Sequence, residues 1–257
     1  MSARFEELDW QQTPMGEITL RRLMSHTAGI PPGWALPGQG SFEPVTRAQV
    51  IQSLNQKPFL FTPGTGWSYS NAGYMLLGYA IESITGRDYA EFFHSEFALP
   101  LGLVDTGVCG TSSLPLPEGY GLPQSTWTRM PALHTTVVLS AGGLCSTASD
   151  LTRWAHLLAT GHVMLPASYA TMTTPARLPN GTIVTSGYAL GVATQNMLGQ
   201  PAVWHSGAID GYQSFLVHFP NHEIAVAVIT TAFPTGPAGG NPQTIATAVA
   251  KAALPAP

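Results

Sequence analysis

Apolar positions recur at helical spacing through the first two thirds of the chain, then give way to short continuous or alternating apolar runs. Thr19 is placed to cap a helix carrying Leu20, Leu23 and Met24, with Gly29, Pro31 and Pro32 marking its end. Thr46 opens a second helix with Val50, Ile51 and Leu54 on one side, stopped by Pro58. A third runs from near Asn71 through Tyr74, Leu77 and Ile81 to Gly86, which suits a left-handed helix end. Asp88 caps a short helix bearing Phe92, Phe93 and Phe97, terminated by Pro100. Thr147 and Asp150 approximate a capping box ahead of Leu151, Trp154, Leu157 and Leu158, and Gly161 closes that helix.

After Gly181 the period changes. Residues 188–192, 202–205, 212–219 and 224–231 read as strands, the last two joined across Pro220 and Asn221 as an antiparallel hairpin. Residues 234–242 form a Pro/Gly-rich connector, and residues 243–253 an alanine-rich helix able to cover one sheet face. The expected organisation is a mostly helical part, residues 1–180, and an α/β part, residues 181–257. The expected fold class is therefore α/β of the α+β kind.

Composition narrows the functional classes. A chain of 257 residues can bury a sizeable core without a metal or disulfide scaffold, and 9% charged against 44% hydrophobic residues argues against disorder. The formal charge of −4, with scattered basic residues, argues against nucleic acid as a partner. No apolar stretch is long enough to span a bilayer. The first ten residues mix Arg4, Glu6, Glu7 and Asp9 with apolar side chains, which is not the pattern of a secretory signal, so the chain reads as cytoplasmic or as lacking its natural start. Cys109 and Cys145 are able to pair in an oxidising compartment, but free cysteine is commonly buried, and the reading adopted is two unpaired thiols. The proline between His218 and His222 argues against a helical metal pair. His26, His94, His134, His156 and His162 read as structural or surface residues, and no cofactor is implied.

Two local features suggest chemistry. The turn-rich segment Phe61-Thr62-Pro63-Gly64-Thr65-Gly66-Trp67-Ser68 delivers Tyr69-Ser70-Asn71 to a helix start. A phenol held there beside a cation would have its phenolate form favoured and could act as a general base, whereas the plainer reading is a Tyr covering the helix end with Ser70 or Asn71 capping. The second feature is His205-Ser206-Gly207-Ala208 at a strand end. Small residues there let an acyl substrate lie along the edge, and the Ala208 N–H is placed to contribute to an oxyanion hole; read alone, the same residues are a turn with a surface histidine.

Both features stand in order within longer stretches: residues 18–29 (Ile-Thr-Leu-Arg-Arg-Leu-Met-Ser-His-Thr-Ala-Gly), residues 63–86 around Tyr69-Ser70-Asn71, residues 140–150 (Ser-Ala-Gly-Gly-Leu-Cys-Ser-Thr-Ala-Ser-Asp), and His205-Ser206-Gly207 with its hairpin. Together they cover nearly the whole chain, which resembles the penicillin-recognising serine hydrolases: class C β-lactamases, their esterase relatives and low-molecular-mass penicillin-binding proteins. The resemblance implies a β-lactamase/transpeptidase-like fold, here a helical domain with an incomplete antiparallel sheet flanked by helices. It implies a small acyl substrate, whether ester, peptide or β-lactam. Tyr69 would be the base, Asn71 a partner to substrate and to the motif lysine, and His205 the residue standing where many relatives have lysine. Ser206, Gly207 and Ala208 would line the substrate strand.

One motif of that family, Ser-x-x-Lys, does not occur: the only lysines, Lys57 and Lys251, follow Leu54 and Ala248 by three positions. No Gly-x-Ser-x-Gly elbow replaces it. The chain is therefore expected to be the carboxy-terminal portion of a hydrolase, inactive alone and prone to self-association through uncovered apolar surface. The rival expectations are a non-catalytic binding protein that keeps the cleft, and a subunit completed by a separate chain carrying Ser-x-x-Lys. Thr126-Trp127-Thr128 and residues 32–40 are expected as pocket walls.

Overall fold

The structure, a computed structural model, describes residues 18–33, 43–111, 115–122, 126–233 and 241–255. The amino-terminal segment, most of the 234–242 connector and most of the 32–40 loop lie outside the described residues.

The helices start where the sequence offers an oxygen to orphaned N–H groups. Thr19 accepts from the Arg22 N–H at the head of α1 (Leu20–Met24). Thr46 and Gln49 form a reciprocal capping box on α2 (Arg47–Asn55). Ser70 caps α3 (Asn71–Thr85), and Gly86, at φ 68°, ends it in the left-handed conformation. These elements share one core, in which Leu23, Val50, Leu54, Met75 and Leu76 are buried. α1 stops at Met24, short of Gly29, because His26 takes a positive φ of 58° and turns the chain.

α4 (Tyr89–Phe93) is capped by Asp88 and passes through a π-helical turn, His94–Ala98, into α5 (Leu99–Leu101). Pro100 therefore lies inside the helical run instead of ending it. The wider turn, with the Leu99 N–H reaching back to the His94 carbonyl, accommodates a residue that has no N–H to donate. Gly102, left-handed at φ 64°, ends the run.

Four short strands follow in two pairs, β1 (Gly107–Val108) with β4 (Leu144–Cys145), and β2 (Tyr120–Gly121) with β3 (Thr128–Arg129). Between β3 and β4 lies α6 (Thr135–Gly142), which is kinked at Leu139. The β1–β4 register sets Gly107 opposite Cys145, and the neighbouring Cys109 forms a disulfide with Cys145. That corrects the reading of two free thiols: a pairing made by strands so far apart in sequence leaves no local spacing to announce it.

α7 (Ala148–Ala159) is capped by Thr147, and α8 (Pro166–Thr173) begins on a proline at its first turn. Asp150 does not reach back to complete a capping box. Its Oδ2 accepts from the Asp105 N–H and the Thr106 hydroxyl, both at 2.8 Å, tying α7 to the segment entering β1. Because Asp150 is buried, Asp150→Ala leaves the Asp105 N–H unmatched, while the Thr106 hydroxyl retains Ser146 Oγ at 2.8 Å, and the change is expected to cost about 1–3 kcal/mol in urea denaturation. A loss below about 0.5 kcal/mol, the range of ordinary surface changes, would show that the tie contributes little.

The main sheet is antiparallel, in the order β5 (Ala193–Met197), β6 (Gln200–Ile209), β7 (Tyr212–Phe219), β8 (Ile224–Thr230). The predicted hairpin is β7–β8, with Phe219 opposite Ile224 across a short 3-10 turn. The predicted strand at 188–192 is instead a bend: only Tyr188 bridges, to Ala193, and Gly191 takes φ 86°. Alternate residues Phe215, Val217 and Phe219 face a second core against α9 (Pro242–Ala253). Ala246 and Ala250, one helical turn apart, let α9 approach that face closely. Burial of each phenylalanine contributes about 2–3 kcal/mol.

Candidate active site

The site is assembled where the turn after α1 meets the approach to α3 and the start of β6. Residues 26–29 and 60–70 run side by side: Leu60 N–H donates to Gly29 O at 2.8 Å, Gly64 N–H to Thr27 O at 2.7 Å and Ser68 N–H to His26 O at 3.0 Å. Gly29 has φ 75°, and a Cβ there would collide with the Phe61 carbonyl, so the two segments can lie this close only with glycine at that position. Ser70 is fixed three ways. Its hydroxyl accepts from Gly73 N–H at 3.1 Å and donates to Pro31 O at 2.8 Å, and its own N–H donates to His26 Nδ1 at 3.0 Å.

His26 is thereby defined as the neutral tautomer with its proton on Nε2. It is 2% exposed, among Tyr69, Tyr74 and Tyr188, with ring centroids 4.2, 5.1 and 4.7 Å away. Burial, reinforced by nearby His205, pulls its pKa down to about 3. Its Nε2 has no hydrogen-bond partner among the described residues. The sequence offered little to single it out, because its importance comes from what surrounds it in space.

Tyr69 is partly exposed, and its ring lies 6.3 Å from that of His205. Burial raises the Tyr69 pKa, and no lysine or arginine lines the pocket to oppose this. Asn71 is the first residue of α3; its N–H donates to the Pro32 carbonyl at 3.0 Å and its side chain is exposed. Ser70, not Asn71, provides the cap.

His205 lies midway along β6. Its Nδ1 is 2.6 Å from the Ser206 carbonyl and its Nε2 is 3.1 Å from the Tyr188 hydroxyl. Burial lowers its pKa, an effect partly offset by donation to Ser206. β5 pairs with β6 only as far as Trp204, so the edge from His205 to Ile209 carries no β5 partner. Gly207 faces Ser214 of β7, where a Cβ would crowd the Ser214 hydroxyl. Ala208 is exposed opposite Gln213.

An open pocket of about 160 Å3 is lined by Trp67, Tyr69, Ser186, Tyr188, Ala193, Trp204, His205 and Ser206. It brings together Tyr69, His205 and Ser206; Asn71, Gly207 and Ala208 do not line it. Trp127, expected as a wall, is instead exposed, while Trp67, Tyr188 and Trp204 form the aromatic sides. Neither Ser186 nor Ser206 has a side-chain hydrogen bond to a histidine or tyrosine among the described residues, so neither carries an activating base. The chemistry available is that of an aromatic pocket with phenol and imidazole groups at one end and an open strand edge beside it.

The architecture, a helical part packed on an antiparallel sheet with Tyr69 and His205-Ser206 meeting at one pocket, is the β-lactamase/transpeptidase-like fold. The chain belongs to the Beta-lactamase family, which residues 8–250 match. It is similar to penicillin-binding protein 4* of Bacillus subtilis (27% identity, over 81% of this chain and 50% of that protein) and to the unguisins hydrolase ungD' of Aspergillus campestris (29% identity, 85% and 43%). The chain thus spans about half the length of the curated relatives it matches. A D-stereospecific amidohydrolase from Streptomyces sp. superposes with a TM-score of 0.73 at 25% identity, covering 85% of this chain and 69% of that one.

Proposed function

We propose that this chain forms the acyl-substrate site of a serine hydrolase that cleaves ester, amide or β-lactam bonds through an acyl-serine, and that alone it binds such compounds without turning them over. The observation that carries this reading is the shared pocket of Tyr69 and His205, two motif residues far apart in sequence whose rings lie 6.3 Å apart. The relative named as a D-stereospecific amidohydrolase supports amides as the bond type. In this reading Tyr69 is the proton acceptor, Asn71 contacts the substrate, and His205 with Ser206, Gly207 and Ala208 seats the acyl group along the open edge of β6. Turnover requires a nucleophile, and the chain holds no Ser-x-x-Lys.

The purified chain is expected to hydrolyse a chromogenic cephalosporin and p-nitrophenyl acetate no faster than buffer, and to show no mass increase after incubation with penicillin. A relative's fragment carrying Ser-x-x-Lys, added in trans, tests completion by a second chain. Turnover by the chain alone that is lost in Tyr69→Phe, or a covalent penicilloyl adduct, overturns the inactivity.

A further inference from the structure

His205 occupies the end of the pocket where a charged group would decide which ligands enter, so its protonation is the central question. The Ser206 carbonyl can only accept, and at 2.6 Å from Nδ1 it requires the proton to be there. Nε2 faces the Tyr188 hydroxyl at 3.1 Å, and a phenol can either donate or accept. The direction is set one step deeper. Tyr74 donates its only proton to the Met24 carbonyl at 2.9 Å, so toward Tyr188 it can only accept, and the Tyr188 proton has two claimants, the Tyr74 oxygen and His205 Nε2. Giving it to Tyr74 would require His205 to donate from Nε2 as well and become an imidazolium. The groups facing it are His26 from the turn after α1, Tyr69 from the approach to α3 and Tyr188 before β5, with Tyr74 of α3 behind Tyr188; there is no carboxylate among the pocket residues. A buried cation without a counter-charge is the costlier arrangement, so Tyr188 donates to Nε2.

We propose that Tyr188 is the positioning residue that holds His205 as a neutral imidazole with its proton on Nδ1, and that the pocket therefore takes uncharged carbonyl compounds bearing an aromatic or apolar group in preference to the matching carboxylates. This rests on reading the pocket as the acyl site. The indole and phenol walls, Trp67, Trp204, Tyr69 and Tyr188, supply contact area for the apolar group. A carboxylate would be desolvated there with no lysine or arginine among the lining residues to meet it.

The test uses the whole chain labelled with 15N-histidine and two probes of one shape, phenylacetamide and phenylacetate. At pH 7 the His205 signals are expected to show one protonated and one bare ring nitrogen with the proton on Nδ1, and phenylacetamide is expected to bind about tenfold more tightly than phenylacetate. In Tyr188→Phe, which keeps the burial but removes the donor, the His205 titration midpoint is expected to rise and the preference for the amide to narrow. Protonation of both ring nitrogens at pH 7, a proton on Nε2, or an unchanged midpoint in Tyr188→Phe overturns the role of Tyr188. Equal or tighter binding of phenylacetate overturns the selectivity while leaving the acyl-pocket reading intact. Binding of neither probe overturns that reading itself. If Tyr188→Phe does not fold, the ring-nitrogen and probe measurements on the unaltered chain still decide.

Discussion

Lowering the pH from 7 to 4.5 is expected to remove about 2.5 kcal/mol of folding stability through His26 alone. The folded pKa of about 3 lies below the ordinary imidazole value of 6.5, so at acid pH the unfolded chain binds a proton that the folded chain refuses. The contribution is complete above the unfolded pKa and is lost progressively as the pH falls below it toward 3. The cause is structural. Nδ1 is occupied by the Ser70 N–H, and the ring is packed among three tyrosines with no anion beside it among the described residues. His205 and His218 are also depressed by burial and slope the same way, so the clean measurement is a difference. His26→Asn tolerates the left-handed backbone and keeps an acceptor near Ser70. Urea unfolding at both pH values should show a shallower loss in the variant than in the unaltered chain, and parallel losses would remove His26 as the source.

What the sequence made legible is what local chemistry decides. Thr46 before α2, Ser70 before α3 and Gly86 after it are end signals whose partners lie within a few residues, so the starts of α2 and α3 were legible, whereas α6 and α8 were not read as helices. The β7–β8 hairpin was readable for the same reason, since alternating Phe215, Val217 and Phe219 declare a buried face and Pro220 breaks the run. The features that escaped are those fixed by distant partners. Pro100 sits inside a helical run because a π turn precedes it, and residues 188–192 look like a strand but are bent at Gly191. The Cys109–Cys145 bridge depends on the β1–β4 pairing. The site divides in the same way. Its motif residues Tyr69 and His205 stood out in the sequence, while the groups that surround them, His26, Trp67, Tyr188 and Trp204, are ordinary aromatic residues until the fold gathers them.

Tyr69→Phe is expected to lower kcat by about a hundredfold or more once a Ser-x-x-Lys segment from a relative is joined ahead of residue 18, and to change nothing measurable in the chain by itself. The asymmetry follows from the state of the phenol. In this structure burial pushes the Tyr69 pKa upward, and the two imidazoles beside it, His26 and His205, are both depressed by burial. At neutral pH the hydroxyl keeps its proton and cannot serve as a base. A lysine ammonium placed beside it would act in the opposite sense, favouring the phenolate by direct charge interaction, and would make Tyr69 competent to accept the serine proton. Absorbance titration checks the first half: Tyr69, identified by difference against Tyr69→Phe, should ionise above the ordinary tyrosine range in the chain alone and lower in the fusion. Initial rates with a p-nitrophenyl ester check the second. His205→Ala in the same fusion should raise KM more than it lowers kcat, because its place is beside the acyl group on β6. Near-normal turnover in the Tyr69→Phe fusion would mean that the proton goes elsewhere, and that the Tyr-Ser-Asn segment positions the substrate without taking part in the chemistry.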